Sequence, residues 1–350
     1  MKEKSAQVSE RVELSTYGNR KNNINLLRFI AASLVIYYHM DFLLGKQGYV
    51  IMGQGLGAIA VNIFFLLSGY LIASSWKHSN SFVSYFIRRT ARIFPALVIV
   101  VFFSVFCIGP LFTSLSLSEY YSNQETWNYL KVILFFPIDR LPGVFEGLPC
   151  DSAINGSLWT LRYEFAFYLI VPFVYKLLDY FGETRRVVIF GMLIFLICGY
   201  FISSTFDFAI SEFCKEGFRL ATYFFMGCVV YEFNLIKYLN AQYSVLAVLF
   251  MLVFAREEGP LCLLLMIAAT TVFVFSFAFA SQPKFAKCFE KNDFSYGIYI
   301  WAFPIQQIVV QLGGGLSRIL FNLCACFFCN YAFLRNVFLV FDRKTLHVMG

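Results

Sequence analysis

Charge is what this sequence has least of. Asp, Glu, Lys and Arg make up 14% of its 350 residues, against roughly 25% in a soluble domain. So low a fraction excludes a single soluble core. It also excludes a soluble basic domain of the kind that binds nucleic acid, although the formal charge is +7. Near the N-terminus there is no short apolar core followed by a cleavage site, so residues 1–23 read as a cytoplasmic tail and not as a cleaved signal peptide. Low-complexity tracts and the internal repeats of many transporters are missing as well. What fills the chain is apolar: 59% hydrophobic and 20% aromatic residues, with a mean hydropathy of +0.68. These are the proportions of a polytopic membrane protein.

The ten cysteines lie mostly in apolar stretches, where Cys packs as a small hydrophobe. Cys324, Cys326 and Cys329 form "CACFFC", but no His or acidic residue stands near them as a further ligand. Cys150 and Cys214 fall in polar connections on the expected outer side, where a disulfide could form.

A membrane-crossing helix takes about 20 mainly apolar residues. Stretches of that kind run near 24–44, 56–75, 94–114, 158–178, 187–206, 217–235, 241–255, 261–280, 295–312 and 316–334. The expectation is an all-α bundle of about ten spans over residues 24–334, with tails at 1–23 and 335–350. Lys and Arg gather before the first span and after each even-numbered one, for example Lys77, Arg88, Arg89, Arg92, Arg185 and Arg186. Acids gather in the alternate connections, for example Glu119, Glu146, Glu212 and Glu216. That alternation places both termini in the cytoplasm. The long outer connection at 115–157 contains Pro137, Pro142, Gly143, Gly147 and Pro149, and reads as looped.

Five segments hold polar groups within or directly beside the expected spans. In "NLLRFIAASLVIYYHMDFLL", Arg28 and His39 are eleven residues apart. Eleven steps of 100° return to nearly the same helix face, about 16 Å further along. The small Ala32 and Val35 lie between them on that face. Such a stripe suits a thin, extended ligand with an anionic inner end; the plainer reading is an arginine snorkelling to the headgroups and a hydrogen-bonded histidine. "FIRRTARIFPAL" supplies Arg88, Arg89 and Arg92, suited to phosphate oxygens or simply to anchoring. "NGSLWTLRYEFAFYLIVP" offers Asn155 or Ser157 as a helix cap and puts Thr160, Glu164 and Tyr168 on one face. Glu164 needs a partner; His39 is the expected one, with Arg162 as the structural alternative. "NIFFLLSGYLIASS" carries Asn62, and its Ser68 and Gly69 permit close helix approach. "FSYGIYIWAFPIQQ" carries Pro304, Gln306 and Gln307, whose side chains could line a cavity beyond a kink.

Taken in order, the Arg-x10-His helix, "FFLLSGYLI", "RRTARIFPAL", "NGSLWTLRYEFAFY" and "SYGIYIWAFPIQQ" resemble the acyltransferase family 3 membrane proteins over about residues 22–310. The resemblance implies a bacterial cytoplasmic-membrane enzyme. It would move an acetyl group from acetyl-CoA, a donor substrate and not a resident cofactor, to a hydroxyl of a lipid-linked or surface glycan such as O-antigen, capsule or exopolysaccharide. Two positions depart from it, since many relatives have an acid where Asn62 stands and a histidine where Ala302 stands. On this reading His39 is the general base, Glu164 orients it, and Arg28 steers the pantetheine arm or a phosphate. Arg88, Arg89 and Arg92 hold the CoA phosphates, while Ser68 and Tyr168 donate to the thioester oxygen. No metal is implied. The alternative from another class is a small-solute or proton-coupled transporter built on the same buried ions.

Overall fold

The computed structural model describes residues 22–313 apart from 80, 149–152, 206–210, 258, 282–288 and 290–292. The expected tenth span, the 335–350 tail, nearly all of the 1–23 tail, Cys150 and the Cys324 cluster lie outside the described residues. Cys214 carries a free thiol.

Each of the nine remaining expected spans is a helix: α1 (Ile24–Leu43), α2 (Leu56–Lys77), α3 (Phe82–Phe103), α4 (Leu161–Tyr180), α5 (Arg185–Thr205), α6 (Ser211–Glu232), α7 (Ala241–Val253), α8 (Pro260–Ala278) and α9 (Ser295–Gly313). The third starts twelve residues before its apolar stretch, so Arg88, Arg89 and Arg92, expected just ahead of the span, ride on its own helix α3. α3 continues through a π-helical turn at Ser104–Ile108 into Gly109–Phe112. Among the described residues, five stretches are long and apolar enough to cross a membrane: Ile24–Leu43, Leu56–Lys77, Phe82–Phe112, Gly182–Ser203 and Leu261–Ala278.

α2 is the hub, packed on α1, α4, α6 and α8. Lipid tails are as apolar as Leu, so helices in a membrane associate through close packing and polar ties rather than water exclusion. Gly69 and Gly227 provide the packing. A Cβ at Gly69 would lie 1.8 Å from the Phe224 carbonyl oxygen, and one at Gly227 would lie 2.1 Å from that of Leu66. Only hydrogen at both positions lets α2 and α6 touch backbone to backbone. Polar ties fix α9. Gln306 donates to the Ile36 carbonyl on α1 (2.7 Å), and Gln307 to that of Ala153 (2.8 Å). Both glutamines are fully buried, so they fasten α9 rather than line a cavity, and the helix runs on through Pro304.

The long connection after α3 is looped as expected, with short helices at Leu117–Ser122 and Gln124–Asn128. A reciprocal Ser116–Glu119 capping box starts the first of them. The connection ends against α9: Asn155 donates to the Ile300 carbonyl (2.7 Å) and accepts from the Ser157 amide (3.1 Å). Neither Asn155 nor Ser157 caps α4, because a 3-10 turn at Leu158–Thr160 intervenes. At the periphery, Val187, Phe190, Ile194 and Phe195 of α5 are exposed, a face suited to lipid.

Candidate active site

α1 sets the axis of the site. At its start, Arg28 Nη1 lies 2.6 Å from Asp293 Oδ2, and Arg92 Nη2 on α3 lies 2.8 Å from the same oxygen. Asp293 stands just ahead of α9, where its other oxygen accepts from the Ser295 hydroxyl at 2.5 Å. Burial pushes the Asp293 carboxyl up, but Arg28, Arg92 and Ser295 outweigh it and hold the group at about 2. Two guanidinium groups on different helices are thus gathered by one carboxylate. Asp293 drew no notice in the sequence, since an acid in a polar connection is common there.

Arg89 joins the group less directly. Its guanidinium lies 6.0 Å from the centre of the Tyr168 ring and reaches the Ser75 hydroxyl at 3.4 Å. Arg88 points away: it is exposed and spends its donors on Ser84 (2.6 Å) and Ser79 (2.5 Å).

Further along, Arg28 shares a small cavity of about 30 Å³ with Ser68, Thr160, Glu164, Tyr296 and Tyr299. That is room for about one water. One oxygen of Glu164 accepts from the Ser68 hydroxyl (3.2 Å) and from the Tyr168 hydroxyl. Tyr168 is aligned in turn by Tyr85, which donates to its carbonyl at 2.8 Å. Tyr299 pairs with Thr160 (2.7 Å) and donates to the Ser157 carbonyl (2.7 Å).

His39 lies beyond, on a second and larger cavity of about 590 Å³ between α1, α2, α4 and α6. Its ring stands edge-on to Phe303, with centroids 5.1 Å apart. Its Nδ1 is buried without a hydrogen-bond partner among the described residues. A buried polar atom left unsatisfied in this way asks for an explanation such as catalysis. The expected His39–Glu164 hydrogen bond is not formed, because Glu164 turns to Ser68 and Tyr168. Val61 and Tyr299 line both cavities.

Ala32 and Val35, the slim residues of the α1 stripe, are buried, and Val35 lines the larger cavity. Across that cavity, Arg219 is paired with Glu216 on its own helix and also donates to Asn62. Asn62 in turn donates to Gln54 (2.7 Å). With Glu216 supplying the carboxylate, position 62 needs no acid. The arrangement runs cations, a hydroxyl–carboxylate knot, a waist and an unpartnered imidazole. It could hold an anionic chain at one end and activate a hydroxyl at the other.

Residues 21–332 match the acyltransferase domain of acyltransferase family 3. The chain belongs to that family. This acyltransferase is 30% identical over 302 residues to an O-acetyl transferase of Shigella phage Sf6, which covers 84% of the chain and 87% of that protein. It is 32% identical over 166 residues to nodulation protein 10 of Rhizobium leguminosarum biovar viciae, 45% of each chain. With the peptidoglycan O-acetyltransferase OatA of Listeria monocytogenes it shares 31% identity over 163 residues, 43% of this chain and 23% of that one. No solved structure matches it. Its apolar helices and its family together make the acyltransferase a membrane protein.

Proposed function

We propose that this acyltransferase moves an acetyl group from acetyl-CoA, taken from the cytoplasm, to a hydroxyl of a glycan presented on the outer side of a bacterial cytoplasmic membrane. The observation that carries the reading is His39, whose ring lines a cavity at the opposite end of one helix from the Arg28–Arg92 pair and whose buried Nδ1 has no hydrogen-bond partner among the described residues. The O-acetyl transferases among its relatives support the same chemistry. The proposed topology has about ten spans with both termini inside, which puts the arginines at the inner face and His39 towards the outer one.

In this scheme Arg92, Arg28 and Arg89 bind the donor phosphates, displacing Asp293. The pantetheine arm runs beside Ser68 and Glu164 and widens the small cavity as it enters. His39 takes the proton of the acceptor hydroxyl. The alkoxide oxygen bonds to the thioester carbon, the carbon–sulfur bond breaks, and the departing thiolate recovers the proton. The Ser68 and Tyr168 hydroxyls, turning from Glu164, donate to carbonyl groups of the pantetheine arm as it passes and hold it in line with His39.

The test is NMR of the surface polysaccharide from cells carrying the gene, lacking it, or carrying His39→Ala. Acetyl signals present only with the unaltered gene support the reading. Acetylation that persists with His39→Ala, in protein still inserted and folded, overturns it.

A further inference from the structure

The proposed reaction leaves one cation of the larger cavity unused. Arg162, at the first turn of α4, forms no ion pair among the described residues. The other charges on that wall are already engaged. Arg219 is paired with Glu216, and Glu212 has Lys215 at 3.8 Å. Aromatic rings hold Arg162 in place instead: its guanidinium carbon lies 5.0 Å from the centre of Tyr163 and 4.9 Å from that of Phe213. Ring faces fix a guanidinium without consuming its N–H donors or cancelling its charge. Apart from a long contact from Nη2 to the Tyr163 hydroxyl (3.5 Å), those donors have no partner among the described residues, where Nε is buried without one.

The position is as telling as the chemistry. Arg162 and Trp159 line both the 590 Å³ cavity that holds His39 and a neighbouring cavity of about 200 Å³ under the 132–139 loop. The larger volume lies within the range of about 300–1,000 Å³ for small-molecule sites. Asp139 lines the smaller cavity but makes no ion pair with Arg162.

We propose that Arg162 is the acceptor-side anion receptor: it grips a carboxylate or phosphate on the glycan while the hydroxyl to be acetylated lies towards His39, so the enzyme selects acidic acceptors. This rests on the glycan-acetylation reading above and adds the acceptor's charge to it. A guanidinium fork matches either anion bidentately. The anion could belong to an acidic sugar or to the diphosphate of a lipid-linked glycan.

The test is equilibrium binding to the full chain in nanodiscs without any donor, so that its outcome does not depend on acetyl transfer. Three probes are compared: a glucuronate-containing trisaccharide, its carboxyl-reduced counterpart, and that neutral trisaccharide carrying a methyl diphosphate at its reducing end. One anionic probe should bind at least about tenfold tighter than the neutral one, the scale of one charge-assisted hydrogen bond. Arg162→Gln should remove that gap and leave the neutral probe within about twofold. Tighter glucuronate binding names a sugar carboxylate, and tighter diphosphate binding names the lipid carrier. Equal affinity for all three, or a gap that survives Arg162→Gln, overturns the assignment. If that variant fails to fold, salt decides with the unaltered protein: anion affinity that does not fall between about 0.05 and 0.5 M NaCl overturns it. Failure of the function itself would look different, as selective binding without acetylation once donor is added.

Discussion

Replacing Asp293 with Asn tests whether one carboxylate gathers the two arginines. The exchange keeps the shape and removes the charge. At an effective dielectric of 20, one unit pair 4 Å apart is worth about 4 kcal/mol before desolvation, and Asp293 has two guanidinium partners at 2.6 and 2.8 Å. Burial takes much of this back. Holding the carboxyl at about 2 instead of 3.8 corresponds to a net contribution of about 2 kcal/mol. Because the folded-state value is depressed, that contribution is complete above pH 4. It is lost as the pH falls towards 2, where the folded form takes up its proton. Asp293→Asn should therefore melt about 3 °C lower at pH 7, as read by thermal unfolding in detergent, and the gap should close on acidification towards pH 2. Equal melting at pH 7, or a gap indifferent to pH, refutes the reasoning. If the same arginines hold the donor phosphates, saturating CoA should recover more of the melting temperature in the variant than in the parent, because no carboxylate competes for them.

His39→Gln should lower acetyl transfer about 10²- to 10⁴-fold with little change in melting temperature, since Nδ1 makes no hydrogen bond that the variant could lose; a large stability loss would mark the ring as structural. Val61→Phe should obstruct the junction of the two cavities and cost on the order of 10² in transfer, while CoA-dependent thermal stabilisation persists; unimpaired transfer would place the donor route elsewhere. Gly69→Ala should destabilise by about 1–3 kcal/mol or more, because the added methyl lands on the Phe224 carbonyl; a parental melting curve would mean that α2 and α6 separate easily.

Much of the helix plan was legible because hydrocarbon imposes a crude rule of length and apolarity. The α3 boundary was placed late for the same reason: hydropathy starts the span at residue 94, after Arg88, Arg89 and Arg92, yet the same helix carries them. The Arg28–His39 stripe was legible from helical periodicity alone. The partners of its two ends were not. Asp293 meets Arg28 and Arg92 across a separation of 201 residues or more, and no local pattern encodes such a meeting. Glu164 was expected to face His39 because both were assigned to the outer half of the bilayer. Depth does not fix azimuth, however, and the carboxylate turns towards Ser68. Arg162 was weighed only as a partner for Glu164, two residues on, and helix geometry separates those faces by about 200°. A guanidinium held between rings leaves no mark in sequence, because Tyr163 and Phe213 are fifty residues apart.

The helices that fall short of a plain apolar stretch are those that build the site. α4 brings Arg162, Glu164 and Tyr168; α6 brings Glu212, Glu216 and Arg219; α9 brings Tyr296 and Tyr299, and Asp293 stands at its start. Polar groups at membrane depth are costly unless paired or set against a cavity, and here they are paired with one another or line the two cavities. α5, apolar from Val187 onwards, leaves most of its side chains exposed or half-exposed and lines neither of these two cavities. α1 and α2 combine the two roles. Each is apolar enough to cross, and each gives the site one narrow stripe: Arg28 to His39 on α1, and Gly57, Val61, Phe64 and Ser68 on α2. Val61 on that second stripe lines both cavities. The close approach of α2 and α6 at Gly69 and Gly227 is then more than packing. It holds the α2 stripe against the walls that carry Glu164 and Arg219, and loosening it should disturb both cavities at once.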